Sequence, residues 1–218
     1  MNRLYLVLDL SSALYVGLVA EARTLAARIR PQGTRGENAH ALVDECLSET
    51  GAGPGDLAGI CVGIGPGSFT GIRVCGAMAQ GLAFAKRLPL YPFSSLAALE
   101  TASPAGFEPV AAIAANAGRY YARHRGSETM LATEALAALG SPSACLVVSG
   151  NVPDKDRLAG VFARIAALED GVDFARLAAL ALAGVPVTDG VLRPNYLAAS
   201  AAEEKLRAGL LGKPGTRP

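Results

Sequence analysis

The 218-residue chain has no tryptophan, only two histidines (His40 and His124), and four cysteines with no C-x-x-C pair. Two histidines 84 positions apart exclude a histidine-rich metal site and leave a Ser-His-Asp triad few members. Cys46, Cys61 and Cys75 fall in apolar helix or strand patterns and read, like Cys145, as small buried hydrophobes. Uncharged apolar stretches such as 74–85 and 177–188 are about a dozen residues, short of the roughly 20 that a membrane-spanning helix needs. The first apolar run follows Arg3 but contains Asp9, a charge that the core of a secretory leader does not keep. These absences predict a cytoplasmic protein without a membrane segment. Charge of either sign is sparse. The net charge is +1 and the sixteen arginines are scattered, so no basic face advertises nucleic acid. The one cluster, Arg119, Arg123 and Arg125, reads as a solvated strand or hairpin.

What the sequence does have is apolar content of 51%, much of it alanine, enough for one large domain or two packed lobes. Residues 3–10, 13–20 and 22–29 read as three strands with very short breaks, the pattern of an antiparallel meander. Periodicity predicts a helix over 37–50, a strand at 58–63, a helix at 70–86, a strand at 89–92 and a helix at 95–102. Ser103-Pro104-Ala-Gly106 reads as a linker. Strands follow at 109–115, 119–125 and 144–148, with helices at 132–139, 155–167 and 173–183. The expected division is a first lobe, 1–103, a second lobe, 104–212, whose C-terminal segment packs back on the first, and a disordered tail, 213–218.

The strongest local feature is Gly63-Ile-Gly-Pro-Gly-Ser-Phe-Thr-Gly71, between a buried strand and a helix. Pro66-Gly67 suits a tight turn, and Ser68 or Thr70 can cap the helix. Helix N-termini attract anions, so a phosphate loop is one reading and a structural elbow beneath a partner is the other. The spacing matches neither a P-loop, because no Lys follows, nor the dinucleotide fingerprint, because Thr70 occupies the third glycine position. A nucleophile elbow is absent too. On the following helix we expect a core stripe of Cys75, Met78, Leu82 and Ala85. Ile72, Gly76, Gln80 and Ala83 then lie on the opposite face, with Arg73 and Arg87 at the helix ends. That small, weakly polar face is either buried within the domain or a subunit interface. Asp9 has a local reading as the organiser of the Ser11-Ser12 turn.

The run 63–86 closely resembles the hallmark of the TsaB (YeaZ) family, a G-x-G-P-G-S-F-T-G turn followed by a helix ending in A-x-G-L-A. Val7-Leu-Asp-Leu-Ser-Ser12, Pro89–Leu99 and Pro194-Asn-Tyr-Leu197 resemble further family elements. The resemblance is good over about the first hundred residues and patchy after them. It implies an α/β fold of two RNase H-like lobes, of the actin/sugar-kinase/Hsp70 (ASKHA) superfamily. It implies a non-catalytic scaffold in the complex that installs threonylcarbamoyl on tRNA adenosine. The implied partners are a TsaD-like catalytic subunit, a TsaE-like ATPase and a second copy of the chain, with tRNA reached only through the complex. The family's pairing helices correspond to about 36–50 and 70–86, which makes His40, Asp44, Ile72, Arg73, Gly76, Gln80 and Ala83 interface candidates. Gly65, Pro66, Gly67, Ser68, Phe69, Thr70 and Gly71 form the structural motif. The catalytic paralogue carries His-x-x-x-His on the first helix; here Gly36 and Asp44 flank His40, and no metal ligand set remains. Asp9, Ser11 and Ser12 are the weak candidates for a nucleotide site. Ala114 and Asn116 stand where the family often has Asp and Arg, so no cofactor is expected, with nucleotide at the partner interface left open. A sugar-kinase-like phosphotransferase and a metallopeptidase-like enzyme are the weaker alternatives.

Overall fold

A computed structural model describes residues 3–30, 38–115, 118–150, 152–168 and 171–197. The expected loop at 33–36, the departure at Asn116 and the tail fall outside the described residues. The first half forms β1 (Leu4–Asp9), β2 (Leu14–Ala20), β3 (Arg23–Arg30), α1 (Ala39–Glu49), β4 (Leu57–Gly63), α2 (Phe69–Lys86), β5 (Leu90–Phe93) and α3 (Ser95–Glu100). The second half forms β6 (Glu108–Ala114), β7 (Arg119–His124), β8 (Ser127–Ala132), α4 (Thr133–Ala137), β9 (Ala144–Ser149), α5 (Lys155–Ala159), β10 (Arg164–Ala167) and α6 (Phe174–Leu182).

The two sheets have one topology. Their strand orders are β3-β2-β1-β4-β5 and β10-β9-β6-β7-β8. In each, a three-strand antiparallel meander is extended from its first strand by two parallel strands. The duplication is invisible to sequence repetition because the faces are defined by burial, not by residue identity.

Both faces of the central strands are covered, which is why they read as unbroken apolar runs. Leu4, Leu6 and Leu8 of β1, with Ile60 and Val62 of β4, face α1 and α2. Val7 and Cys61 point the other way, toward α3, α6 and the inner face of the second sheet, where Ala111, Ile113, Cys145 and Val147 meet them. Val110, Ala112, Leu146 and Val148 complete a third core under α4 and α5. The order of layers is therefore helices, sheet, helices, sheet, helices. Gly17 on β2 leaves room for Phe174 of α6; a Cβ there would lie 2.2 Å from the Phe174 ring.

Two second-half assignments differ from expectation. The helix predicted over 155–167 is a single short helix ending at Gly160, and Arg164–Ala167 pairs in parallel with β9 instead. Five residues of helix cannot outweigh a four-residue ladder that buries Ala166. The strand Ser127–Ala132 was not expected; its half-exposed, polar sequence marks it as a sheet edge. Arg123 and Arg125, expected on a solvated hairpin, are near the end of β7 and in the β7–β8 turn respectively, and both are ion-paired.

Candidate functional site

Three segments converge where β1, β4 and α2 meet. Asp9 closes β1 and is fully buried. Its carboxylate accepts from the Ser11 N–H (2.7 Å), the Ser11 hydroxyl (3.1 Å) and the Tyr15 hydroxyl (3.0 Å). Burial pushes the Asp9 carboxyl above its ordinary range, partly offset by hydrogen bonds from Ser95, Ser11 and Tyr15. The same burial, with Asp9 adjacent, holds the Tyr15 phenol well above its usual value. Asp9 is thus occupied inside the protein by the turn it organises. Ser11 and Ser12 are buried as well, and the Ser12 hydroxyl has no hydrogen-bond partner among the described residues.

The Gly-rich turn docks onto this knot. The Ser68 N–H donates to the Ser11 carbonyl at 2.6 Å, and the Ser68 hydroxyl caps α2 by accepting from the Gly71 N–H. Gly67 has φ +150 and lies so close to Ser11 that a Cβ would fall 2.3 Å from the Ser11 carbonyl oxygen. At Gly71 a Cβ would fall 2.0 Å from the Leu10 carbonyl oxygen, so only glycine lets the first turn of α2 rest on the β1–β2 backbone. The Gly65–Pro66 bond is cis. Gly65 is tied to α3 on both sides, its N–H donating to the Ser95 hydroxyl and its carbonyl accepting from the Ser95 N–H. The turn is an elbow whose backbone groups are largely bonded internally.

The rotation of α2 corrects the expected interface. Its buried residues are Ile72, Cys75, Ala79 and Ala83, while Met78 and Leu82 are half-buried flanks and Ala85 is exposed. Ile72 and Ala83, expected on the outer face, are therefore core. The alanines at 79 and 83 pack as closely as larger residues, and side-chain size gave the wrong centre to the stripe. Gly76 and Gln80 lie on one flank and are partly covered by the chain's own segment 187–197. Gln80 Nε2 donates to the Gly190 carbonyl, and Leu192 approaches Gly76. Arg73 is exposed with its guanidinium 3.9 Å over the Phe69 ring, and Phe69 stacks on Tyr196 at 4.9 Å. His40 and Asp44 are exposed on α1. The outer side of α2 carries Thr70, Arg73, Ala77, Gly81 and Phe84, the last 89% exposed. Sequence reasoning missed Ala77, Gly81 and Phe84, though counting turns outward from Arg73 finds them.

Among the described residues no group of three or more His, Cys, Asp or Glu side chains is placed to hold a metal, and no helix is long and apolar enough to cross a membrane. His124 is engaged by Glu108 at 3.0 Å.

Comparison with known proteins supports the resemblance. A family model described as TsaD, tRNA N6-adenosine threonylcarbamoyltransferase, matches residues 35–141. The tRNA threonylcarbamoyladenosine biosynthesis protein TsaB of Haemophilus influenzae is 37% identical over 103 residues, 47% of this chain and 44% of that protein. The protein of the same name from Escherichia coli is 40% identical over 55 residues, 25% of this chain and 24% of its own length. The chain thus spans less than half the length of the curated relatives it matches. Two solved structures from Pseudomonas aeruginosa align far more fully. One is described as an uncharacterized protein similar to peptidase YEAZ (28% identity, TM-score 0.73, 90% of this chain and all of that one). The other is described as YeaZ (27% identity, TM-score 0.71, 89% of this chain and all of that one).

The duplicated sheets and the elbow between β4 and α2 define a two-lobed α/β protein of the RNase H-like, ASKHA type. Within that class the turn sequence, the curated relatives and the solved structures agree on one group. That group is the TsaB (YeaZ) proteins, to which the chain is similar over its first half in sequence and over about nine-tenths of its length in structure.

Proposed function

We propose that this chain is the non-catalytic partner subunit of the machinery that forms threonylcarbamoyladenosine in tRNA. In this reading it pairs with a TsaD-type transferase, is joined by a TsaE-type ATPase, self-associates when alone, and meets tRNA only within the assembly. Residues 1–103 are the pairing lobe and 104–212 the second lobe.

One observation carries the proposal: the outer side of α2, directly after the family's elbow, is small and apolar and ends in a Phe84 ring left 89% exposed. Small residues at Ala77 and Gly81 let a partner helix approach closely. An exposed aromatic at the end of such a strip is an anchor with nothing of its own to fill. Arg73, with His40 and Asp44 on α1, supplies a polar margin. The Asp9 carboxylate, the one acidic group that a phosphotransferase reading would use here, is buried and spent on Ser11 and Tyr15.

The test is co-expression with the TsaD-type protein of the same organism, followed by light scattering and a tRNA modification assay with and without this chain. A stable heterodimer required for modification is the expected outcome. Separate proteins with normal modification would overturn it.

A further inference from the structure

Segment 187–197 is pinned to the rest of the molecule at discrete polar points. Val187 exchanges both backbone hydrogen bonds with Leu90 on the edge strand β5, at 3.1 and 2.7 Å. Gln80 donates to the Gly190 carbonyl. The Asn195 N–H donates to the Ile64 carbonyl at 2.8 Å, and Tyr196 lies on Phe69. Val187 and Leu192 also pack partly against the first core, but a gap of about 170 Å³ remains between Leu192 and Pro194 on one side and Ile72, Gly76 and Gln80 on the other. Atoms that line a gap lack contacts on that side, so the polar points carry a large share of the attachment.

A further fastening comes from the other sheet. Glu128, on β8, accepts from the Asn195 side-chain amide at 2.7 Å through Oε2. Its Oε1 accepts from Arg123 at 2.9 Å and from the Ser94 hydroxyl that caps α3. A single carboxylate therefore ties together the β7–β8 hairpin, the start of α3 and the segment lying on α2.

We infer that residues 187–197 are a strap that opens as a unit distinct from both sheets, and that Glu128 is its latch. Movement of the β7–β8 hairpin away from α3 withdraws the acceptor from Asn195. The strap then loses its lower fastening beside the Gly-rich turn, and its release uncovers the Ile72, Gly76 and Gln80 flank of α2. The latch makes the shape of that flank depend on how the second sheet sits against the first. It stands whether or not the functional proposal above is right, because every contact in it is internal.

Hydrogen–deuterium exchange on the full chain tests it. Asn195→Asp sets a second carboxylate against Glu128, and amides at Val187 and Asn195 are expected to exchange about tenfold faster, the scale of one lost hydrogen bond with its repulsion added. Amides of β1 and β4 stay unchanged. Adding Glu128→Gln to the same chain restores a donor–acceptor pair and returns strap exchange to the wild-type rate. Gln80→Ala, which removes a different fastening and leaves the latch intact, likewise accelerates the strap amides from Val187 to Asn195 and leaves β1 and β4 unchanged. The inference is overturned if Asn195→Asp leaves the strap amides unchanged, if Glu128→Gln does not rescue it, or if strap and sheet amides accelerate together in either single variant.

Discussion

Asp9 occupies the space that a side chain on Gly63 would need: a Cβ on Gly63 would sit 2.2 Å from Asp9 Cγ. The elbow and the first strand end are thus matched in shape as well as hydrogen bonding. Gly63→Ala is expected to destabilise the protein by about 3 kcal/mol, the upper range for overpacking. Gly81→Ala is its control. Gly81 lies mid-helix with nothing within 4 Å of the place a methyl group would take, so alanine there should stabilise by about 0.5–1 kcal/mol. Urea unfolding of both variants checks the pair, and equal effects would refute the shape argument.

Asp9 also gives a pH dependence of definite sign. Burial holds its carboxyl above the ordinary 3.8, so the folded chain keeps a proton that the unfolded chain has already released. The Asp9 contribution to stability is greatest below that ordinary value. It falls as pH rises toward the folded value, and is flat beyond it. Glu108 acts in the opposite sense, held low first by Arg125 and then by His124, but it is common to wild type and variant. The stability difference between wild type and Asp9→Asn should therefore decline as pH rises from about 4. Unfolding curves at stepped pH decide this; a difference that grows with pH contradicts it.

Arg123 bridges Glu100 of α3 at 3.0 Å and Glu128 of β8 at 2.9 Å, with all three side chains largely covered. Arg123→Ala strands two carboxylates and should cost about 2–4 kcal/mol, below the full penalty of a deeply buried pair. Arg157→Ala, which breaks an exposed pair with Glu134, should cost less than about 1 kcal/mol. Denaturation midpoints of the two variants compare them directly.

Phe84→Asp and Ala77→Arg change residues that project into solvent. Each should leave stability within about 0.5 kcal/mol of wild type while abolishing the proposed pairing with a TsaD-type subunit. Sedimentation velocity reads the pairing and calorimetry the stability. Retained pairing in both variants would move the interface elsewhere.

The first sheet was legible because its strands are covered on both faces, so Leu4 to Asp9 and Leu57 to Gly63 appear as apolar runs bounded by turns. The elbow was legible because its geometry is written in glycine, proline and a capping serine. Other parts rest on information that no local window holds. Arg164–Ala167 has the alanine content of a helix and becomes a strand only because β9 is beside it. The face of α2 was misjudged by rotation, since Ala79 and Ala83 give little hydrophobic signal although they are core. Glu128 and Asn195 are 67 positions apart, and nothing near either residue in the sequence hints at the other.

All four cysteines are buried, and burial raises every one of their thiols, Cys61 to about 12. Thiolate is the reactive form, so native sulfur is chemically quiet in the folded protein. A single cysteine introduced on the outer side of α2 or on the strap can then carry a maleimide dye or spin label in the otherwise unaltered chain. The distances that report pairing and strap opening become measurable without first stripping the protein of its own thiols.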